Sequence, residues 1–235
     1  MSDPLNAAVE IRALFLDAAG TLIEPVEPVA EVYARAAAMH GMELDAAEVK
    51  AAFFRAFGGL GDPEWDAHPD GDAAEREWWQ RVVAATFGHV SGLEASVALF
   101  ESLFAHYADP AAWRVFPEVG EVLAAAREAG FRLAVVSNFD RRLHGILAGH
   151  GLEFDAVVTS ADAACRKPAA GIFRRALELL GLAPAEVFHA GDSVSADVGG
   201  AEALGIAAFH VDRPGHDLRA FLAAALETRD GATGI

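Results

Sequence analysis

Four short stretches of this 235-residue chain place carboxylates, a hydroxyl and an amine beside apolar runs that a turn could bring together. Asp17-Ala18-Ala19-Gly20-Thr21 follows the run Ile11–Leu16, and Ser137-Asn138 closes the run that begins at Leu133. Arg166-Lys167-Pro168 precedes a helical pattern over Gly171–Leu180, and Gly191-Asp192-Ser193 follows Val187–Ala190, with Asp197 beyond it. Each stretch alone also fits a plain turn or helix start. Lysine, however, occurs only at Lys50 and Lys167, so its presence in one of the four stretches is harder to dismiss. Carboxylates such as Asp17 and Asp192 repel when brought close, and at least one pKa rises unless a cation lies between them. Oxygen donors, with no Cys or His cluster at metal spacing, favour Mg²⁺ over zinc or a softer metal.

The elements that would position these groups read as an α/β chain. Apolar or β-rich runs at Ile11–Leu16, Phe131–Ser137, Ala156–Thr159, Val187–Ala190 and Ile206–Val211 alternate with helical patterns at Pro117–Ala129, Asp140–His150, Ala169–Leu180, Ala196–Leu204 and Asp217–Leu226. That rhythm predicts a doubly wound, Rossmann-like parallel sheet with helices on both faces. Gly130, Gly151, Gly181 and Gly205 stand where left-handed helix stops are expected. In such sheets ligands bind beyond the carboxyl ends of the strands, where Asp17, Ser137 and Asp192 fall.

Between the first and second stretches lies a segment without strand rhythm, with helices expected at Glu27–Gly41, Asp45–Phe57, Asp72–Phe87 and Leu93–Tyr107. Asp45 and Glu48 resemble a capping box. Gly58–Pro63 is expected to be a flexible loop, and Trp65, Trp78 and Trp79 to belong to the helical core more than to a ligand surface.

Taken in order, the four stretches resemble the four motifs of the haloacid dehalogenase superfamily of hydrolases, in the subfamily with a helical cap. The resemblance implies an α/β core at 1–23 and 113–235 and a cap at 24–112. It makes Asp17 the nucleophile, with Ser137 and Lys167 catalytic and Ser137, Asn138 and Lys167 on the phosphate. Mg²⁺ would be held by the Asp17 and Asp192 side chains and the Ala19 backbone carbonyl, with Asp197 in support. Lys167 would hold Asp17 as its carboxylate and neutralise charge on the transferring group. Backbone amides after Asp17 and Ser137 could complete the cradle.

One position departs from the pattern. The superfamily's first motif is Asp-x-Asp-Gly-Thr, and its second aspartate protonates the leaving group and activates water; here that position is Ala19. Ser137–Leu143 with Gly145-Ile146-Leu147 resembles a branch that shares the loss. Haloacid dehalogenases also lack this carboxylate and need no metal, but Asp192 would repel their carboxylate substrates. Phosphonoacetaldehyde hydrolases share Asp-x-Ala-Gly-Thr and use a cap lysine, for which Lys50 is the sole candidate. The expected activity is hydrolysis of a small phosphorylated metabolite through an aspartyl-phosphate, slowed by the missing acid. A phosphate-binding protein without turnover is the alternative from another class.

Composition sets outer bounds. With 53% hydrophobic residues the chain can bury a substantial core, and a net charge of −17 argues against nucleic acid or an anionic membrane as partner. Cys165 is the single cysteine, so no internal disulfide can form, and it is expected to be a small buried hydrophobe. Met1–Glu10 has no signal-peptide pattern and no run is long enough to span a bilayer, which together point to the cytoplasm. Thr228–Ile235 is expected to be a loose tail.

Overall fold

The computed structural model describes residues 10–91 and 95–233. Its strands are β1 (Ala13–Leu16), β2 (Ile23–Pro25), β3 (Trp113–Val115), β4 (Arg132–Ser137), β5 (Ala156–Thr159), β6 (Val187–Gly191) and β7 (Ala207–His210). Its helices are α1 (Val29–Met39), α2 (Ala46–Gly59), α3 (Gly71–Ser91), α4 (Val97–His106), α5 (Val119–Glu128), α6 (Arg142–Gly149), α7 (Ser160–Ala163), α8 (Ala170–Leu180), α9 (Gly200–Glu202) and α10 (Leu218–Thr233). The chain divides into two compact units, one of residues 1–24, 115–138 and 152–235, the other of 25–114 and 139–151.

The first unit is a parallel five-stranded sheet in the order β5-β4-β1-β6-β7, as the alternating pattern predicts. β1 lies in the middle, paired in register with β4 from Ala13 opposite Arg132 and with β6 from Ala13 opposite Val187. Successive β1 side chains point to opposite faces. Ala13 and Phe15 join Ala134, Val136, Ile172 and Phe173 in a core on the α8 side. On the other face Phe188 of β6 packs against Phe221 of α10, ring centroids 5.0 Å apart. Gly130, Gly151, Gly181 and Gly205 all take the positive φ that ends a helix without a Cβ clash.

The second unit is helical. Tyr33 and Val32 of α1, Val49 of α2, Val83 and Phe87 of α3 and Leu99 of α4 form its main core. Asp45 caps α2 by accepting from the backbone N–H groups of Ala47 and Glu48. Trp78 is buried as expected and donates from Nε1 to the Gly61 carbonyl at 2.6 Å. Helix α6 and its preceding loop, read from sequence as part of the α/β region, group with this helical unit.

Several element boundaries differ from the sequence reading. The two three-residue strands β2 and β3, paired as a separate ribbon, are too short to show a period. Gly58 and Gly59 continue α2, so the expected loop begins at Leu60. Helix α10 runs through Thr228 to Thr233 in place of a loose tail, while Ile235 lies outside the described residues. The expected helix start at Leu93 and most of the segment Met1–Glu10 also lie outside them; α4 begins at Val97. Cys165 is only partly buried, packed at the edge of the α8-side core. Among the described residues no helix is long and apolar enough to cross a membrane.

Candidate active site

Asp17 is the first residue after β1, Ser137 the last of β4, and Asp192 the first after β6, so three neighbouring strands deliver polar groups at their carboxyl ends. This is where strand order reverses about β1, the position at which open α/β sheets form a crevice. Asp17, Ser137 and Lys167 are all buried, and the Lys167 side chain is only 2% exposed.

Lys167 Nζ lies 2.6 Å from Asp17 Oδ1 and 2.6 Å from Asp197 Oδ1. Burial opposes its charge, but the two carboxylates outweigh it and hold the ammonium above its ordinary pKa. Burial pushes the Asp17 carboxyl up and Asp197 adds to that, against the lowering by Lys167 and a hydrogen bond from Ser137. Asp197 is desolvated too, yet Lys167 and a bond from His189 together keep its carboxyl well below the usual range. At the exposed Asp192 the lowering by Lys167 is outweighed: partial burial, then the charges of Asp17 and Asp197, push it up to about 6.

Asp17, Asp192 and Asp197 each offer an oxygen within 4.8 Å of the others. The donor set is hard oxygen from three carboxylates that converge, so the site fits a divalent ion such as Mg²⁺. The three carboxylates are not equivalent. Asp197 Oδ1 is taken by Lys167 and by His189 Nε2 at 3.0 Å, and Oδ2 accepts from the Ser193 N–H at 3.0 Å. It is committed to neighbours, whereas Asp192 faces Gly20: a Cβ at residue 20 would come within 2.4 Å of its Oδ2.

The backbone is shaped to permit these approaches. A Cβ on Gly191 would lie 2.1 Å from Asp197 Cγ, so only glycine there leaves room for that carboxylate. Asp197 itself sits on a π-helical turn, Val194–Gly199, so only the short α9 of the expected α-helix Ala196–Leu204 is α-helical. Val198 N–H reaches five residues back to the Ser193 carbonyl, and the wider turn leaves the Asp197 carboxylate bonded to the Ser193 N–H. Ala19 is partly exposed in the turn after Asp17 and forms a bridge with Ile23.

Asn138, expected on the phosphate, is engaged otherwise. Its Oδ1 accepts from the Lys167 N–H at 2.7 Å and its Nδ2 donates to the Lys167 carbonyl at 3.1 Å, clamping the lysine backbone to the end of β4. Lys50 lies exposed on α2 of the helical unit.

Sequence reasoning missed two residues. His189 is fully buried in β6; burial pushes its imidazole below the ordinary value despite the opposing bond to Asp197. It is the one polar residue in an otherwise apolar strand, and that was a readable signal. Arg213 donates from Nη1 to the Gly20 carbonyl at 2.8 Å and from Nη2 to the Thr21 carbonyl at 2.6 Å. Its Nε also bonds the buried Glu118, and its guanidinium lies 3.6 Å over the Phe116 ring. Nothing in its local sequence marks it out.

The haloacid dehalogenase-like hydrolase family model matches residues 11–205, spanning every motif above. The chain belongs to this family. The haloacid dehalogenase-like hydrolase domain-containing protein 3 of Homo sapiens is 36% identical over 211 residues, covering 88% of this chain and 84% of that protein. Among solved structures, a HAD phosphatase from Thermococcus onnurineus superposes with a TM-score of 0.60 at 27% identity, covering 87% of this chain and 88% of that one. An L-2-haloacid dehalogenase from Xanthobacter autotrophicus superposes at 0.61 with 25% identity, covering 96% and 84%. Both a phosphatase and a dehalogenase thus resemble this HAD-like hydrolase, and the choice between them falls to the site.

Proposed function

We propose that this HAD-like hydrolase is a Mg²⁺-dependent phosphatase acting on a small phosphorylated metabolite through an aspartyl-phosphate on Asp17. The observation that carries the reading is the convergence of a lysine-held carboxylate, Asp17, with a second carboxylate, Asp192, that forms no ion pair among the described residues. A dehalogenase needs no metal, and Asp192 would repel its anionic substrate, whereas a metal-bound phosphate makes use of that charge.

In this reading Asp17 and Asp192, with the Ala19 carbonyl, hold the ion, and Asp197 supports them. A bound Mg²⁺ would neutralise charge on the phosphoryl oxygens and orient the group. The Asp17 carboxylate forms a bond to phosphorus as the ester P–O bond breaks; Lys167 and Ser137 balance and bind the oxygens carrying the charge. Water then attacks phosphorus, releasing inorganic phosphate and restoring Asp17. Asn138 acts by fixing Lys167. Alanine at position 19 supplies no proton to the leaving oxygen, a contribution typically worth about 10² to 10⁴ in rate. Substrates with good leaving groups are therefore favoured. The α/β unit carries the chemistry, and the helical unit is the cap inserted in its sequence. A cytoplasmic setting, the absence of a nucleic-acid or membrane partner, and a small-molecule substrate complete the reading, in keeping with the charge of −17.

The test is phosphate release from acetyl phosphate and p-nitrophenyl phosphate, with and without Mg²⁺, in the wild type and Asp17→Asn. Release that needs both Mg²⁺ and Asp17 supports the phosphatase. Mg²⁺-dependent phosphate binding without release supports the second reading, a binding protein, which Ala19 favours.

A further inference from the structure

His189 holds the site from beneath. Its ring is fully buried in β6, edge-on to Phe173 at 5.1 Å, with Nε2 3.0 Å from Asp197 Oδ1. Nδ1 is buried with no hydrogen-bond partner among the described residues. Unsatisfied buried polar atoms are uncommon and cost stability, and a phenylalanine or leucine in this strand would avoid the cost. The strand therefore keeps an imidazole for what its other nitrogen does.

A carboxylate only accepts, so Nε2 carries the proton, and Nδ1, with no acceptor beside it, holds its lone pair. The ring is thus a neutral donor. It gives Asp197 a direction without adding a second cation to compete with Lys167. Asp197 is then fixed from three sides, by His189, by the Ser193 N–H and by Lys167, and Lys167 reaches from it to Asp17.

We propose that His189 is a positioning residue, fixing the Asp197 carboxylate so that Asp197 aims the Lys167 ammonium at Asp17. The inference rests on the reading of Asp17 as nucleophile and Lys167 as its partner.

The two-lysine composition makes a direct test practical. Lysine-selective ¹⁵N labelling gives two side-chain Nζ resonances, the exposed Lys50 serving as the internal shift reference, and the far-UV and near-UV circular dichroism of each variant checks that its fold is intact. In His189→Leu the Lys167 resonance should shift or exchange faster with water, and kcat for p-nitrophenyl phosphate should fall about 10- to 100-fold with KM little changed, the scale of groups that orient a functional side chain. His189→Gln, whose amide can still donate to Asp197, should restore both toward wild type. His189→Asn, with a shorter reach, should behave like His189→Leu and serves in its place if the leucine variant does not fold. A Lys167 resonance unmoved in the Leu and Asn variants overturns the proposal. Equal disturbance by Gln and Asn overturns it too, because the ring would then only fill space. A wild type that releases no phosphate removes the catalytic reading, while the Lys167 resonance still decides whether His189 positions it.

Discussion

Replacing Lys167 by methionine removes one charge and leaves the stem's volume nearly intact, so the variant isolates electrostatics from packing. The ammonium is 2.6 Å from both Asp17 and Asp197, and all three side chains are less than 10% exposed. Breaking a buried pair by deleting one partner costs about 3–5 kcal/mol, because the remaining charge stays desolvated. Two carboxylates lose their partner here, which puts the expectation at the upper end of that range. For a chain of this size about 2–4 °C is lost per kcal/mol, so the α/β unit should melt roughly 10–20 °C lower at neutral pH. The pH dependence carries the diagnosis. In the wild type Asp197 is held below its unfolded pKa, so its stabilisation is present at neutral pH and fades on acidification. Without Lys167, burial and mutual repulsion raise the folded pKa values of both carboxylates above their unfolded values. The variant then gains relative stability as pH falls through those raised values, and the two melting curves converge. Calorimetry between pH 5 and 8 measures this, and Asp17→Asn added to Lys167→Met should recover part of the loss. A deficit under about 1 kcal/mol, or one independent of pH, would show that the carboxylates do not depend on this ammonium.

Three further outcomes follow from the same geometry. Ala19→Asp should raise kcat/KM for alkyl phosphates by up to about 10²- to 10⁴-fold, with a smaller gain for aryl phosphates; equal rates in both proteins would mean that Ala19 does not limit turnover. Mg²⁺ affinity measured by titration calorimetry should weaken about tenfold per pH unit below 6, where the Asp192 carboxyl takes up a proton, and in Asp192→Asn binding should be severely weakened and that pH dependence lost. Arg213→Met should lower stability by about 2–3 kcal/mol, the scale of hydrogen bonds to charged groups, and Arg213→Lys should not restore it, since an ammonium cannot fork between two carbonyls and Glu118; recovery in the lysine variant by denaturant melting would contradict that.

The parts legible in sequence are those set by local order. The five sheet strands follow from apolar runs punctuated by glycine, and Asp17, Ser137 and Asp192 are found because a strand end fixes their place whatever surrounds it. Lys167 was found by rarity and position. The structure brings Lys167, Asp17 and Asp197 together across separations of 150 and 30 residues, as the motif order implies. What stayed hidden depends on contacts that no window contains. Asn138 turns its amide to Lys167, 29 residues on, and Arg213 reaches Gly20 across 193 residues. The π-turn at Val194–Gly199 reads as an ordinary helix start until Gly191 and Asp197 are seen to share one space. His189 stands out in sequence as the polar residue of an apolar strand, but only its contact with Asp197 gives its nitrogen a purpose.

Arg213 also bears on when the site comes into being. The turn that presents Asp17 leaves the ribosome long before the guanidinium that grips its carbonyls, which comes from a loop 193 residues beyond Gly20. During synthesis β1 has neither of its sheet neighbours until residue 132 emerges, and no Arg213 until 81 residues after that. The clamp consequently becomes available only after all five strands of the sheet, the last ending at His210, have been made. A nascent chain halted before Arg213 holds the aspartate and its lysine without the brace on Gly20 and Thr21. The grip on the turn that carries Asp17 is therefore open to the chain only after the last strand of the sheet has been made.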